Sequence, residues 1–285
     1  MAPSDKQSSH SPHNDLLDDS LLGRETDYPA HYAPNLLYPV SRGENRRSLG
    51  FDAWPYHGVD RWYAYELSWL QPGGLPAVAV ATLDVPAHSP NLIESKSLKL
   101  YLNSFNMTRF ESREAVAHCM ASDLSQAAQA EVQVRLHDVD AVQTRPPPGD
   151  AVLLDNNDIE VEQYDVAPTL LRLDAARDRV DETLYSHLLR SNCPVTGQPD
   201  WGTLFVSYEG PALDRISLLR YLVSFRQHTE FHEHCVERVL TDILALGEFD
   251  RLQVWAHYLR RGGLDINPYR SLSAERTDLG RLGRQ

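Results

Sequence analysis

A thiol and a carboxylate bracket the turn in Ser191-Asn192-Cys193-Pro194-Val195-Thr196-Gly197-Gln198-Pro199-Asp200-Trp201-Gly202-Thr203. Two prolines and a glycine between Cys193 and Asp200 rule out a regular helix or a mid-sheet strand, so the backbone must turn. A chain that leaves one strand and enters the next brings two such ends within reach of a single ligand atom. The chemistry on offer is a nucleophilic sulfur beside a proton donor. Taken alone, the same residues also fit a buried, inert cysteine in a tight turn, the commoner fate of a lone Cys.

Three further stretches carry chemistry-bearing residues. In Gln227-His228-Thr229-Glu230-Phe231-His232-Glu233-His234-Cys235, His228 and His232 stand four apart, a spacing that can set two imidazoles on one helical face for zinc. The order is H-T-E-F-H rather than H-E-x-x-H and no second ligand cluster accompanies it, so no metal site is expected. His-Glu pairs at a helix start also serve as caps and dipole partners. In a binding role, Glu233 would accept two N–H bonds from one planar edge, and His232 would orient the ligand or carry a proton. Glu94-Ser95-Lys96-Ser97-Leu98-Lys99 reads as a helix start capped by Ser95, either a place for an anion or a solvated helix end. Arg260-Arg261-Gly262-Gly263 ends a strand with two guanidiniums and a flexible pair, which could grip a phosphate or be an ordinary basic turn. No strand is followed by G-x-G-x-x-G, and neither a Walker A motif nor G-x-S-x-G occurs.

The elements that must position these residues can be read from periodicity. Strands are expected over Trp62–Leu70 and Ala77–Val85, then helices from Ser95 and over Ser112–Ala128, then a strand over Ala130–Val139. Thr144-Arg145-Pro146-Pro147-Pro148-Gly149-Asp150 reads as a linker. The order then recurs: strands at 182–189 and 203–209, helices at 213–226 and 231–247, and a strand at 251–259. Ser97, Leu98, Tyr101, Leu102, Ser104 and Phe105 coincide, at an offset of 120, with Ser217, Leu218, Tyr221, Leu222, Ser224 and Phe225. Two amphipathic helices share leucines by chance, but rarely the Tyr and the Ser-Phe as well. The chain therefore reads as a duplicated α+β protein, mostly antiparallel, with helices on one sheet face. The expected division is an arm at 1–45, modules at 46–143 and 161–272, a linker at 144–160, and a tail at 273–285 that frays from Ser271. Leu16-Leu17, Leu21-Leu22 and Leu36-Leu37 give the arm places to dock. Each copy keeps charged groups the other lacks, Glu94-Ser95-Lys96 in the first and Phe231-His232-Glu233 in the second, which points to one composite pocket.

Composition narrows the function classes. The 285 residues are 42% hydrophobic and 24% charged, enough for a sizeable core in about two domains. A formal charge of −13 argues against clamping a nucleic-acid backbone. Cys119, Cys193 and Cys235 cannot all pair and form no C-x-x-C, which points to free thiols in a reducing cytoplasm. The start has no apolar signal core and no run of about 18 apolar residues occurs, so neither secretion nor a membrane span is expected.

Together these pieces resemble the NADPH-dependent 7-cyano-7-deazaguanine reductase family, the nitrile reductases of queuosine biosynthesis, in its long two-module branch. The resemblance rests on Glu94-Ser95-Lys96-Ser97-Leu98-Lys99-Leu100-Tyr101, on Cys193 with Asp200, on Phe231-His232-Glu233, and on Arg261-Gly262-Gly263-Leu264-Asp265-Ile266-Asn267-Pro268. It covers about residues 45–272. It implies tandem tunnelling-fold (T-fold) modules assembling as a homodimer, and reduction of a nitrile to a primary amine by NADPH. It implies that Cys193 adds to the nitrile as a thioimidate and that Asp200 supplies the proton, with a shielded site raising the Asp200 pKa. Ile93, Glu94, Ser95, His232 and Glu233 correspond to substrate contacts, and Ser95, Lys96, Arg261 and Gly262 to dinucleotide contacts. The substrate is then a free base, with no nucleic-acid partner. Two other readings are a zinc-dependent T-fold hydrolase of the cyclohydrolase type, on His228, His232 or Cys235, and a catalytically inactive purine-binding module.

Overall fold

The computed structural model describes residues 28, 29, 31–275 and 279–285; the leucine pairs at 16–17 and 21–22 lie outside them. In chain order the elements are β1 (Pro39–Ser41), α1 (Gly43–Ser48), β2 (His57–Leu70), β3 (Pro76–Pro86), β4 (Asn91–Ile93), α2 (Ser95–Asn103), α3 (Arg113–Ala128) and β5 (Gln133–His137). There follow β6 (Val152–Leu153), β7 (Arg179–Ser186), β8 (Arg190–Asn192), β9 (Pro199–Pro211), α4 (Arg215–Ser224), α5 (His232–Leu244), β10 (Arg251–Tyr258) and β11 (Leu264–Ser271).

One sheet runs through the molecule in the order β5-β3-β2-β11-β10-β9-β7-β6, with β8 on the first residues of β9. Its pairings are antiparallel except β6 with β7. Alternation sets the two faces. Leu204, Val206 and Tyr208 of β9 pack with α4 and α5 in one core, while Trp62, Ala64, Leu67 and Trp69 of β2 pack with α2 and α3 in another. Trp62/Ala64 and Leu67/Trp69 stay on the same side because Tyr65 and Glu66 form a bulge against β3. The out-of-phase residues Val59, Tyr269, Trp255, Phe205 and Tyr185 line up across β2, β11, β10, β9 and β7 on the opposite face.

The hydrogen bonds of α2 and α4 repeat at the offset seen in the sequence, to within one residue for their aspartate partners. The Ser97 and Ser217 hydroxyls donate to the carbonyls of Glu94 and Asp214, which cap their helices. Tyr101 donates to Asp123 and Tyr221 to Asp242, while Ser104 and Ser224 donate back to those tyrosines' carbonyls. Ala33 and Ala167, each at the head of a 3₁₀ turn, donate to Ser104 and Ser224.

Five expectations need correction. Glu94, not Ser95, caps α2: its carboxylate accepts from the amides of Lys96 and Ser97 at 2.6 and 2.8 Å, and Ser95 is the first helical residue. Residues 264–271, given no strand by the sequence reading, form a buried strand between the two halves. Among the described residues of the tail, Leu279 and Leu282 pack on Phe205 and Trp255, and the Gln285 amide donates to Asn267 Oδ1 at 2.6 Å, so it does not fray. The proline-rich linker contributes β6 and the fully buried Leu154, and the 45/46 boundary falls inside α1. Leu36 and Leu37 pack on the core of β2, α2 and α3, as docking leucines should.

Candidate functional site

Five segments converge on one cavity of about 510 Å³. The N-terminal turn of α2 brings Ile93, Glu94, Ser95 and Lys96, and the N-terminal turn of α5 brings His232 and Glu233. The β8–β9 connection brings Cys193, β9 brings Asp200, and the β10–β11 turn brings Arg260, Arg261 and Gly262. Trp62, Leu264 and Ile266 form apolar wall. Each residue singled out for substrate, chemistry or dinucleotide thus faces the same space, which draws on both halves of the chain.

The Cys193 loop is closed by its own backbone. Cys193 N–H donates to the Gln198 carbonyl at 2.9 Å, and Gly197 N–H returns to the Cys193 carbonyl at 3.0 Å. Gly197 adopts φ +65°, the left-handed region where a Cβ is disfavoured. Pro199 then enters β9 beside the short strand β8, leaving the half-buried thiol and Asp200 on either side of the turn.

Asp200 is 4% exposed and doubly held. His232 Nε2 lies 3.2 Å from one carboxylate oxygen, and the Arg261 guanidinium pairs with the other. Burial pushes the carboxyl up, but His232 and Arg261 together outweigh it and hold Asp200 below the usual carboxylate range. This reverses the expected raised pKa: shielding is present, and the contacts of His232 and Arg261 overrule it. His232 stacks face to face on Tyr258, with ring centroids 3.8 Å apart, and its Nδ1 is buried without a partner.

Glu233 behaves oppositely. Burial first, and repulsion from Asp60 second, push its carboxyl up to about 7, against the attraction of Arg42 and His232. Burial likewise raises Glu94, although two backbone amides favour its ionised form. Below Glu233 lies a buried ionic cluster joining distant segments: Arg270 binds Asp60 at 2.7 Å and Glu237 at 2.9 Å, Arg42 binds Asp60, and Arg46 binds Glu237 at 2.7 Å.

The β10–β11 turn is a two-residue hairpin. Arg261 and Leu264 exchange both backbone hydrogen bonds around Gly262 and Gly263, whose φ values are +58° and +79°. Two successive positive φ values are what a type I′ turn demands, hence the Gly-Gly pair.

Comparison with known proteins bears on this arrangement. The family described as "Nitrile reductase, 7-cyano-7-deazaguanine-reductase N-term" matches residues 28–136, and that described as "QueF-like protein" matches residues 199–277. A protein of Chromohalobacter salexigens named NADPH-dependent 7-cyano-7-deazaguanine reductase is 52% identical over 100% of both chains. One of the same name from Hydrogenovibrio crunogenus is 54% identical over 94% of this chain and 97% of its own. The chain belongs to the NADPH-dependent 7-cyano-7-deazaguanine reductase family. A solved structure of an archaeosine synthase QueF-Like in the apo form covers 35% of this chain at 17% identity and a TM-score of 0.30, too distant to bear on the fold.

Within this reductase-family chain the zinc reading finds a different geometry from the one its sequence proposed. His228 and Cys235 do approach one another, with Glu230 rather than His232 as the third group. His228 Nε2 bonds Glu230 at 2.8 Å, and Arg238 grips both Glu230 oxygens at 3.0 and 3.2 Å. Those partners hold Glu230 down to about 2 and take three of the acceptor positions of its carboxylate. Burial raises the Cys235 thiol strongly. Residue-by-residue reading overlooked the cavity residues Trp62, Gln198 and Glu230. Glu230 stood inside a stretch already marked as dense, whereas Trp62 is indistinguishable in sequence from other aromatics of its strand.

Proposed function

We propose that this chain reduces the nitrile of 7-cyano-7-deazaguanine to an aminomethyl group with NADPH, through a covalent thioimidate on Cys193. The observation that carries the reading is the convergence of Cys193, Asp200, His232, Glu94 and Glu233 on one cavity in a chain of this family. Glu233 offers a carboxylate to the N–H edge of the base, and Trp62 and Ile266 offer apolar contact to its faces.

A nitrile carbon is a poor hydride acceptor, and sulfur addition makes it a better one. Because Asp200 starts as a carboxylate, it first takes the Cys193 S–H proton as the C–S bond forms, then passes that proton to the nitrile nitrogen. Atoms balance: thiol plus nitrile gives the thioimidate with no outside proton. Given a hydride and a proton, the Cys193 sulfur would leave as a thiol and an imine would remain, which a second hydride and proton would take to the amine. The lining fits a phosphate-bearing dinucleotide: Lys96, Arg260 and Arg261 supply positive charge, and Gly262 lets a ligand approach the backbone. NADPH bound there would supply the hydrides.

The wider reading is a tandem T-fold enzyme acting as a homodimer on a free base in the cytoplasm. The repeated Ser, Tyr and Asp hydrogen bonds of the two halves support the tandem, and three free cysteines support a reducing compartment. No helix among the described residues is long and apolar enough to cross a membrane.

The test is direct. Incubated with the cyano base alone, the protein gains the mass of that base, and Cys193→Ala gains none. With NADPH added, absorbance of the reduced nicotinamide falls by two equivalents per base converted. Absence of both the adduct and NADPH oxidation refutes the reading.

A further inference from the structure

Thiol addition brings its own proton, but each hydride step consumes a proton the thiol cannot provide. An ionised Asp200 held by two partners cannot supply it. Of those partners His232 is rooted in α5 and stacked on Tyr258, whereas Arg261 is placed to leave. Its side chain is 34% exposed against 4% for Asp200, so the guanidinium reaches inward from the cavity mouth. It forks across Pro199, one terminal nitrogen on Asp200 and the other on the Gln198 side-chain oxygen. Its backbone stands on the Gly-Gly turn. The neighbouring cations are otherwise engaged: Arg260 lies over the Tyr65 ring at 3.8 Å, and Lys99 is 3.6 Å from Glu66. A phosphate-bearing ligand entering the mouth therefore meets a guanidinium whose planar fork suits phosphate as well as carboxylate.

We propose that Arg261 is a positioning residue that keeps Asp200 ionised in the free protein and gives it up when a phosphate of the cofactor claims its guanidinium. Cofactor arrival then brings the hydride and loads the proton donor together. Asp200, left with His232, takes a proton from solvent and delivers it to the substrate nitrogen as the C–H bond forms. The inference rests on the reading of this cavity as the site of an NADPH-dependent reduction. Other charged or titratable groups share the cavity with Asp200 or feel its charge. Cys193 comes from the β8–β9 turn, Glu230, His232 and Glu233 from the approach to and start of α5, Tyr258 from β10, Arg260 beside Arg261, and Glu94, Lys96 and Lys99 from the α2 side. Among the described residues only Arg261 both pairs with Asp200 and stands at the mouth.

The probe is NADP⁺, which binds without reacting, added to the whole protein in weakly buffered solution between pH 5 and 7. Binding is followed by calorimetry and proton exchange by an indicator dye. Losing one opposite charge moves a carboxyl up by about 1–3 pH units. Wild type should therefore take up more protons on binding than Asp200→Asn, in which phosphate titration of the ligand is unchanged, and the difference should grow toward pH 5. In Arg261→Gln the Asp200 titration, read as its carboxyl band by infrared difference against Asp200→Asn, should already lie higher without ligand. Equal proton uptake in wild type and Asp200→Asn, with NADP⁺ bound in both, overturns the switch and leaves the reductase reading standing. An unmoved Asp200 titration in Arg261→Gln overturns it as well, even if Asp200→Asn binds poorly. Failure of NADP⁺ to bind wild type overturns both.

Discussion

Glu233 and Asp200 are both buried carboxyls on one cavity, and their partners send them in opposite directions. Asp200 meets His232 and Arg261, which outweigh its burial, while the burial of Glu233 is reinforced by Asp60, so one is held ionised and the other is pushed up to about 7. A native carboxyl raised above its unfolded value keeps a proton that the unfolded chain releases, so its stability contribution is lost as pH rises from the ordinary carboxylate range through about 7. Glu233→Gln removes that loss. The variant should melt higher than wild type at pH 8, with little difference at pH 4, in thermal scans followed by circular dichroism. A hydrogen bond to a charged group contributes about 1.5–3 kcal/mol, so the same variant should bind the cyano base about 10–100-fold more weakly in titration calorimetry. Wild-type affinity should itself fall as pH drops below about 7, because the carboxylate that receives the N–H edge is being protonated. A more stable protein that binds its ligand worse is the signature of a carboxylate held in place for function.

The turns and caps decide where those side chains point. Gly263 has φ +79°, and a Cβ there would come within 2.5 Å of the Glu66 carboxyl carbon, itself on the β2 bulge. Gly263→Ala should cost about 1–3 kcal/mol through backbone strain and displace Arg261. Its expected signature is a raised KM for NADPH with the Cys193 adduct still formed on the base alone, measured by initial rates and intact mass. How far the sequence discloses such elements depends on whether their signals are local. The Gly-Gly turn, the Ser112 cap and the paired helices of the duplication are all local, and they are where the pattern places them. β11 was hidden because Pro268 sits mid-strand opposite Asp60 in the sheet interior, where a proline usually argues against a strand. The tail was hidden because two leucines among arginines and glycines carry no period, yet Leu279 and Leu282 are only 7% exposed. The Asp200 ionisation was misjudged for a related reason. Burial is legible from an apolar neighbourhood, but partners at positions 232 and 261 become visible only when the chain is folded.

Seen whole, the molecule places its cavity between halves that one strand welds together. β11 pairs with β2 of the first half and β10 of the second, and its Arg270 bonds Asp60 on β2 and Glu237 on α5, all fully buried. Arg42 and Arg46, just before and within α1, close the same cluster. A buried ion pair is weak support for stability in itself, but removing one member leaves the others without compensation, at a cost of about 3–5 kcal/mol. Arg270→Met should therefore lower the denaturant midpoint strongly. Because the strand and the cluster belong to both halves, the loss should not be confined to one of them. In wild type and variant alike, tryptophan fluorescence and far-ultraviolet circular dichroism should trace a single coincident transition in urea. Separate transitions, with only one shifted by Arg270→Met, would mean that the halves fold as independent units and that the weld is nominal. The catalytic consequence follows from the same geometry: Glu94 comes from one half, while Cys193, Asp200 and Glu233 come from the other. Arg270→Met should therefore lose adduct formation in step with that single transition, at lower urea than wild type.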